Sequence, residues 1–294
     1  MCRILAVIIC FNPDHQRLQR LIATVQHAGA EVLLFDNGGL STSLLTDVGN
    51  FIVERPEENA GLGAALNFAA DYGVDHGFRF LISFDQDSTP SVDMISILER
   101  ELSAFQKVDP RAIAIGPQLV DLRGRSELVS PFIRFDSLGV AKWSGDDTQA
   151  VSQLITSGCM IDLQDWRAEY RFNDELFIDL VDNNWCWKMN RLDRLVLGTG
   201  RTRMPHEISE EIKTSRYVSL SKYGKVRRYF QMRNATYHLF HEKLSFAQRL
   251  YVLRSMTLVF GSSLFSDDKP LLSVGQCVRG FLHGVVKKLG RFEK

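Results

Sequence analysis

The sequence predicts an α/β fold in which helices flank a mostly parallel central sheet. Three observations carry that reading. The first 116 residues alternate short apolar runs with helix-period segments, which is the pattern of βαβ units. The junctions between those segments hold residues that start or stop helices. A chain of 294 residues with 45% hydrophobic and 24% charged content can also bury a sizeable core.

Taken in order, strand-like runs cover 3–11, 31–36, 50–55, 78–84 and 111–116, and helical segments cover 14–28, 61–72 and 91–108. Pro13 and Asp14 open the first helix, Gly29 closes it, and Ser91 after Pro90 is the expected N-cap of the third. Residues 117–150, rich in Gly, Pro, Asp and Ser, read as irregular chain with short strands. A strand from Val151 leads into Thr156-Ser157-Gly158. A short helix is expected over 163–170, an apolar and acidic run over 176–189, and a strand over 195–204. Beyond about Ser221 two or three helices follow, with Leu244, Phe246, Leu250, Leu253 and Met256 near a helical period.

Charge divides the chain. From Lys213 onward 16 Lys and Arg stand against 4 acids, so this part carries about +12 and the preceding residues about −12. Such an asymmetry suggests that the basic part faces a membrane surface, a phosphate-bearing acceptor or nucleic acid. Nucleic acid is not expected, because the Arg and aromatic residues form no recognisable RNA or DNA motif. The five cysteines, Cys2, Cys10, Cys159, Cys186 and Cys277, have no CxxC spacing, which argues against a zinc site or a disulfide scaffold and fits a reducing cytoplasm. Met1 runs directly into a strand-like segment with no cleavage site, so no signal peptide is expected. The longest uncharged stretch of the basic part, 255–266, has 12 residues, short of the ~20 that a spanning helix needs. The expected location is cytoplasmic, with peripheral contact to the inner face of the membrane.

Parallel sheets place ligands at the carboxyl ends of their strands. There, Phe80-Leu81-Ile82-Ser83-Phe84-Asp85-Gln86-Asp87-Ser88 delivers two carboxylates from a buried-type strand. Mg²⁺ and Mn²⁺ take such oxygen ligands and bridge diphosphate oxygens. Paired Asp residues also serve turns and caps. Asp85-Gln86-Asp87-Ser88-Thr89 further matches the D-x-D-x-T nucleophile motif of haloacid-dehalogenase-type phosphatases, in which Asp85 would attack phosphorus. Position speaks against that chemistry, since three strand-helix units come first and no later Gly-Asp pair follows a strand. Gly61-x-Gly63 lacks the third glycine and early position of a dinucleotide fingerprint. Asp179 and Asp182 would share a face near a helix N-terminus, where the dipole keeps a carboxylate ionised and able to accept a hydroxyl proton. Plain helix capping beside an aromatic face fits the same pair.

Four segments in sequence order, Asn59-Ala60-Gly61-Leu62-Gly63, Asp85-Gln86-Asp87-Ser88, Thr156-Ser157-Gly158 and Leu176-Phe177-Ile178-Asp179-x-Val181-Asp182, resemble the family-two glycosyltransferases, specifically their bacterial rhamnosyltransferase branch. Arg228-Tyr229-Phe230-Gln231-Met232-Arg233-Asn234 is similar to that branch's aromatic, Arg-Asn segment, so the matches reach to about residue 240. The resemblance implies the GT-A nucleotide-diphospho-sugar transferase fold. Its catalytic domain would span 1–220, with a nucleotide-binding half over 1–116 and an acceptor and metal half over 117–220, followed by a basic helical region over 221–294.

The resemblance also implies roles. Asn12, Asp36, Asn59, Gly61, Asp85, Gln86 and Asp87 would bind the donor, with Asp36 on the pyrimidine and the diphosphate near Gly61. Asp85, Asp87 and His206 would hold a divalent Mg²⁺ or Mn²⁺ cofactor. Thr156, Ser157, Gly158, Asp179 and Trp185 would form the acceptor side, and Asp182 the catalytic base. Arg228 and Arg233, with Arg227, would bind phosphate. The implied activity is inverting, metal-dependent transfer of L-rhamnose from dTDP-L-rhamnose to a hydroxyl of a polysaccharide or lipid-linked acceptor, including a polyprenyl-diphosphate-linked one, in cell-surface polysaccharide synthesis. Two departures stand out. Asn184 replaces a usual Glu, and the surroundings of His206 lack the usual His-x-x-Gly. They keep a noncatalytic sugar-nucleotide-binding module open beside the phosphatase.

Overall fold

The computed structural model describes residues 2–292 apart from 42, 44, 46, 47, 122–127, 137, 138, 206–210, 215–218 and 223, with backbone alone for 128, 211–214 and 219–222. The first half runs β1 (Ile4–Cys10), α1 (His15–His27), β2 (Glu31–Asp36), β3 (Phe51–Glu54), α2 (Gly61–Asp75), β4 (Phe80–Asp85), α3 (Met94–Gln106) and β5 (Ala112–Asp121). The second half holds β6 (Leu128–Ser130), β7 (Phe132–Phe135), β8 (Val140–Trp143), β9 (Thr148–Val151), β10 (Cys159–Asp162), α4 (Val181–Arg191), β11 (Leu195–Pro205), β12 (Glu211–Thr214) and β13 (Ser219–Lys222). Three helices close the chain: α5 (Lys225–His241), α6 (Phe246–Phe265) and α7 (Pro270–Val285).

The main sheet has the order β3-β2-β1-β4-β10-β5-β11-β9, with β6 added beside β5. β3, β2, β1 and β4 run parallel, and so do β5 and β11, while β10 is inserted antiparallel between β4 and β5. Strand β1 is apolar throughout and β4 is apolar up to Phe84 except for Ser83, because both faces of the sheet are covered here. On one face Leu5, Val7, Leu33 and Leu81 pack with Ala65, Leu66 and Ala69 of α2. On the other, Ala6, Ile8, Leu34, Ile82 and Phe84 pack with Leu18 and Ile22 of α1 and Leu98 of α3. The alternation follows the period of two that a strand imposes.

Asp14 caps α1 as expected, its Oδ1 accepting the N–H groups of Gln16 and Arg17. Ser91 does not cap α3, which begins three residues later at Met94; the Ser91 carbonyl instead accepts the Met94 N–H in the preceding turn. The strand expected to run from Val151 into the 156–158 turn stops at Val151. The helix expected over 163–170 is a single 3-10 turn at Ala168–Tyr170. Asp179 lies ahead of α4 rather than within it, in a turn where Phe177, Asp179 and Leu180 have φ of 65°, 61° and 60°.

Two features of the topology place the site. Parallel pairing sets Ile9 opposite Asp85, so the carboxyl ends of β1 and β4 open side by side. The β10 insertion brings the 156–158 turn to the same edge, where the Gly158 N–H donates to Ser83 O at 2.7 Å and Ser83 Oγ to Thr156 O at 2.6 Å. Gly158, at φ +80°, makes that turn under Pro117.

Candidate active site

A cleft of roughly 1270 Å³ opens at this edge. Its walls include Asp85, Gln86 and Asp87 from the end of β4, Thr156 and Ser157, Asp179 and Asp182 before and within α4, and Arg227 of α5. The two acidic groups therefore face one shared space.

Gln86 separates the β4 carboxylates and holds the strand end. Its Oε1 accepts the Phe11 N–H at 2.7 Å and its Nε2 donates to Phe11 O at 3.1 Å, tying β4 to β1. The residue thus holds the strand end while lining the cleft. Ser157 Oγ lies 2.5 Å from Ser88 Oγ and accepts from the Asp85 N–H at 3.4 Å, which orders the same corner. The Asp85 and Asp87 carboxylates are the oxygen donor set that a hard divalent cation takes. The expected third ligand, His206, lies outside the described residues, and among the described residues no cluster of three or more His, Cys, Asp or Glu forms.

Across the cleft, Asp182 sits in the first turn of α4. The helix N-terminus was expected to keep it ionised, yet burial outweighs that pull and, with the charges of Asp179 and Asp85, raises its carboxyl to about 6. Asp179 Oδ1 accepts from Arg227 Nε at 3.1 Å. Its Oδ2 is buried without a hydrogen-bond partner among the described residues, and burial pushes this carboxyl up against the opposing pull of Arg227.

Left-handed φ at three side-chain-bearing residues stores strain in the 177–180 turn, and neighbours hold it in place. Asn234 Nδ2 donates to the carbonyls of Leu176, Ile178 and Asp179 at 3.0, 2.7 and 2.8 Å. Arg233 Nη2 donates to Glu175 O and Leu176 O at 3.3 and 2.8 Å. From below, Gly61 at φ +83° lets α2 approach so closely that a Cβ there would lie 2.6 Å from Phe177 O. The close approach made possible by Gly61 is thus to the 177–180 turn.

Several other expected binders have structural duties. Asp36 does not line the cleft: Oδ1 accepts from Gly38 N and Leu40 N, and Oδ2 pairs with Arg55 Nε at 2.8 Å. Asn59 Oδ1 accepts the Gly61 N–H, and Asn12, at φ +47°, donates its N–H to Gly38 O; neither residue lines the cleft. Trp185 belongs to the core, stacked on Phe172 at 5.0 Å and donating Nε1–H to Tyr170 O. Arg233 is buried among the backbone carbonyls just described. Arg228, only 1% exposed, makes two bonds to Asp267, at 2.9 and 2.7 Å. Neither arginine is placed to bind phosphate. Breaking the Arg228 pair leaves a buried charge alone, which costs about 3–5 kcal/mol. Arg228→Ala is therefore expected to lower the melting temperature in a thermal scan while leaving the donor KM unchanged.

Asn184 also finds its reason. Its Nδ2 donates to His238 Nε2 at 3.1 Å and to Glu242 Oε1 at 3.3 Å, so a Glu here would face a second carboxylate. Burial pushes His238 down to about 4, and the neutral ring donates Nδ1–H to Asn234 O. The cleft also holds residues that sequence reasoning missed, among them Gln231 of α5 and Ser255 and Val259 of α6. The i, i+4 spacing of Arg227 and Gln231 was the available signal for the first. For α6 no signal existed, because its position depends on the fold.

No protein-family model matches the sequence. The chain is 28% identical over 238 residues to the dTDP-rhamnosyl transferase RfbF of Shigella flexneri, covering 79% of this chain and 78% of that protein. Among solved structures, it is similar to S. aureus TarS 1–349 with a TM-score of 0.55 and 14% identity, over 97% of this chain and 82% of the other. The same TarS region in complex with UDP-GlcNAc gives a TM-score of 0.50 at 13% identity, over 97% and 91%. At that identity the likeness to TarS shows a shared fold.

Proposed function

We propose that this chain, which has the GT-A-like fold expected from its sequence, is a family-two glycosyltransferase that transfers L-rhamnose from dTDP-L-rhamnose, with inversion. The acceptor is a hydroxyl of a lipid-linked or polysaccharide substrate in cell-surface polysaccharide synthesis. The observation that carries this reading is the shared cleft: a carboxyl raised to about 6 at Asp182 faces the same space as Asp85 and Asp87. The name of the Shigella relative supports the donor, and the UDP-GlcNAc complex of TarS supports a nucleotide sugar.

In this mechanism Asp182 accepts the proton of the acceptor hydroxyl as that oxygen attacks the anomeric carbon, and the bond from that carbon to the diphosphate breaks. Asp179, fixed by Arg227, lies beside the base and orients the acceptor. Ser157 and Thr156 line the same cleft and bound the acceptor's side. A Mg²⁺ or Mn²⁺ ion held by Asp85 and Asp87 would offset the charge of the leaving diphosphate. In this reading the reaction takes place at the inner face of the cytoplasmic membrane, a location supported by the excess of Lys and Arg from residue 213 onward. Among the described residues no helix is long and apolar enough to cross it.

A panel of nucleotide sugars tests the proposal by binding and turnover with purified protein. dTDP-L-rhamnose is expected to bind best, only with Mg²⁺ or Mn²⁺, and Asp87→Ala is expected to remove that dependence together with most of the affinity. Preference for a uridine-linked donor would refute the donor assignment. Release of inorganic phosphate without an acceptor would favour the phosphatase chemistry instead.

A further inference from the structure

The C-terminal helices expose what helices usually bury. On α6, Phe246, Leu250, Leu253, Phe260 and Leu264 recur at spacings that keep them on one stripe, and all five are exposed. The opposite side of α6 faces the protein: Val252 packs with Trp187 and Ala235, while Ser255 and Val259 line the cleft. On α7, Leu271, Val278 and Leu282, with Val286 just past its end, form a second exposed stripe. Its opposite side is glycine, and a Cβ on Gly280 or Gly284 would lie 2.4 Å from Tyr229 O or 2.5 Å from Arg233 O. Large apolar side chains thus point outward on two successive helices. Exposed apolar surface of that extent marks an interaction site.

Charge identifies the occupant. Across 246–292 the chain has seven Lys and Arg against only Asp267 and Asp268, and Asp267 is taken by Arg228. Neither α6 nor α7 contains an acid. Arg249 and Arg254, both exposed, stand on either side of the α6 stripe. A second copy docking through this face would set like charges against each other. An anionic bilayer accepts both components at once, with apolar residues at the headgroup-acyl boundary and guanidinium groups at the phosphates.

We propose that the outward faces of α6 and α7 are a docking surface for an anionic lipid bilayer, on which the helices lie without crossing. The inference rests on the membrane location proposed above, and not on the identity of donor or acceptor. It also gives α6 a second use. One side of this helix meets lipid and the other lines the cleft, which sets the catalytic space about one helix diameter, ~10 Å, from the membrane surface. A lipid-linked acceptor would then reach the cleft without leaving the bilayer.

Sedimentation of the full chain with vesicles tests this, using phosphatidylcholine alone and with added phosphatidylglycerol, at low and high salt. Binding is expected only with phosphatidylglycerol, and salt should weaken it without abolishing it. Leu250→Asp combined with Leu253→Asp is expected to reduce vesicle affinity about tenfold or more, because the apolar anchor is lost. Arg249→Glu combined with Arg254→Glu should do the same at low salt. Turnover of a water-soluble acceptor should be unchanged in both. Should a variant unfold, an environment-sensitive dye on Leu253→Cys is expected to shift to the blue on adding anionic vesicles. No wild-type binding, equal binding by all variants, an unshifted dye, or a homodimer that the Leu variants dissociate would each overturn the assignment. Intact donor turnover with no vesicle binding sinks only this surface, whereas vesicle binding with a different donor sinks only the donor.

Discussion

Asp182→Asn is expected to remove nearly all turnover while making the protein more stable. A positioned base contributes on the order of 10²- to 10⁴-fold to such a transfer, and the amide cannot accept the proton. Donor binding is expected to survive, because Asp85 and Asp87 are untouched. Stability moves the other way for a stated reason. Asp182 titrates near 3.8 when unfolded and about 6 in the fold, so ionising it costs the native state free energy at neutral pH. At 1.36 kcal/mol per unit, reduced for solvent in the open cleft, that cost is about 2 kcal/mol. Between pH 4 and 6 the folded chain holds a proton that the unfolded chain has released. The contribution of this group is therefore most favourable below about pH 4 and is lost as pH rises through about 6. The Asn variant should melt about 4 °C higher at pH 7 and lack that pH dependence. In the wild type, kcat/KM should fall as pH drops below about 6. A variant that is inactive but less stable would show that Asp182 supports the fold rather than the chemistry.

The same conflict between stability and use separates what the sequence could tell from what it could not. Asp85, Asp87 and Asp182 were legible because their surroundings are local: a buried strand delivers the first two, and an acidic, aromatic helix start delivers the third. Asp36 looked equivalent, being an Asp at a strand's carboxyl end. Its role was set by Arg55, 19 residues away, whose approach depends on the pairing of β2 with β3. Arg228 was misread for the same reason, since nothing in a basic helix announces a partner 39 residues downstream at Asp267. The apolar residues from Leu244 to Met256 have a helical period, but period alone does not say which side is buried. Leu244 and Met256 do pack inward beside Val252, whereas Phe246, Leu250 and Leu253 face out.

Asn234 shows how far the site's geometry depends on the C-terminal helices, and its replacement by Ala is expected to lower kcat and stability together. One side-chain amide serves the Leu176, Ile178 and Asp179 carbonyls, of which that of Leu176 has a second side-chain donor in Arg233. Losing it leaves at least one carbonyl unsatisfied and releases a turn held in left-handed φ, at roughly 2–4 kcal/mol. The released turn is the one that presents Asp179 and leads into Asp182. A displacement of the base by about 1 Å is enough to cost ~10²-fold in rate. The donor KM should change little, since Asp85 and Asp87 sit across the cleft at the carboxyl end of β4. Asn234→Asp separates a positioning role from mere space filling. Its carboxylate would point acceptors at three acceptors, so it should be worse than Ala in both kcat and melting temperature, although it is nearly the same size. Should Asp prove as good as Asn, the hydrogen bonds from α5 would not be what holds the 177–180 turn.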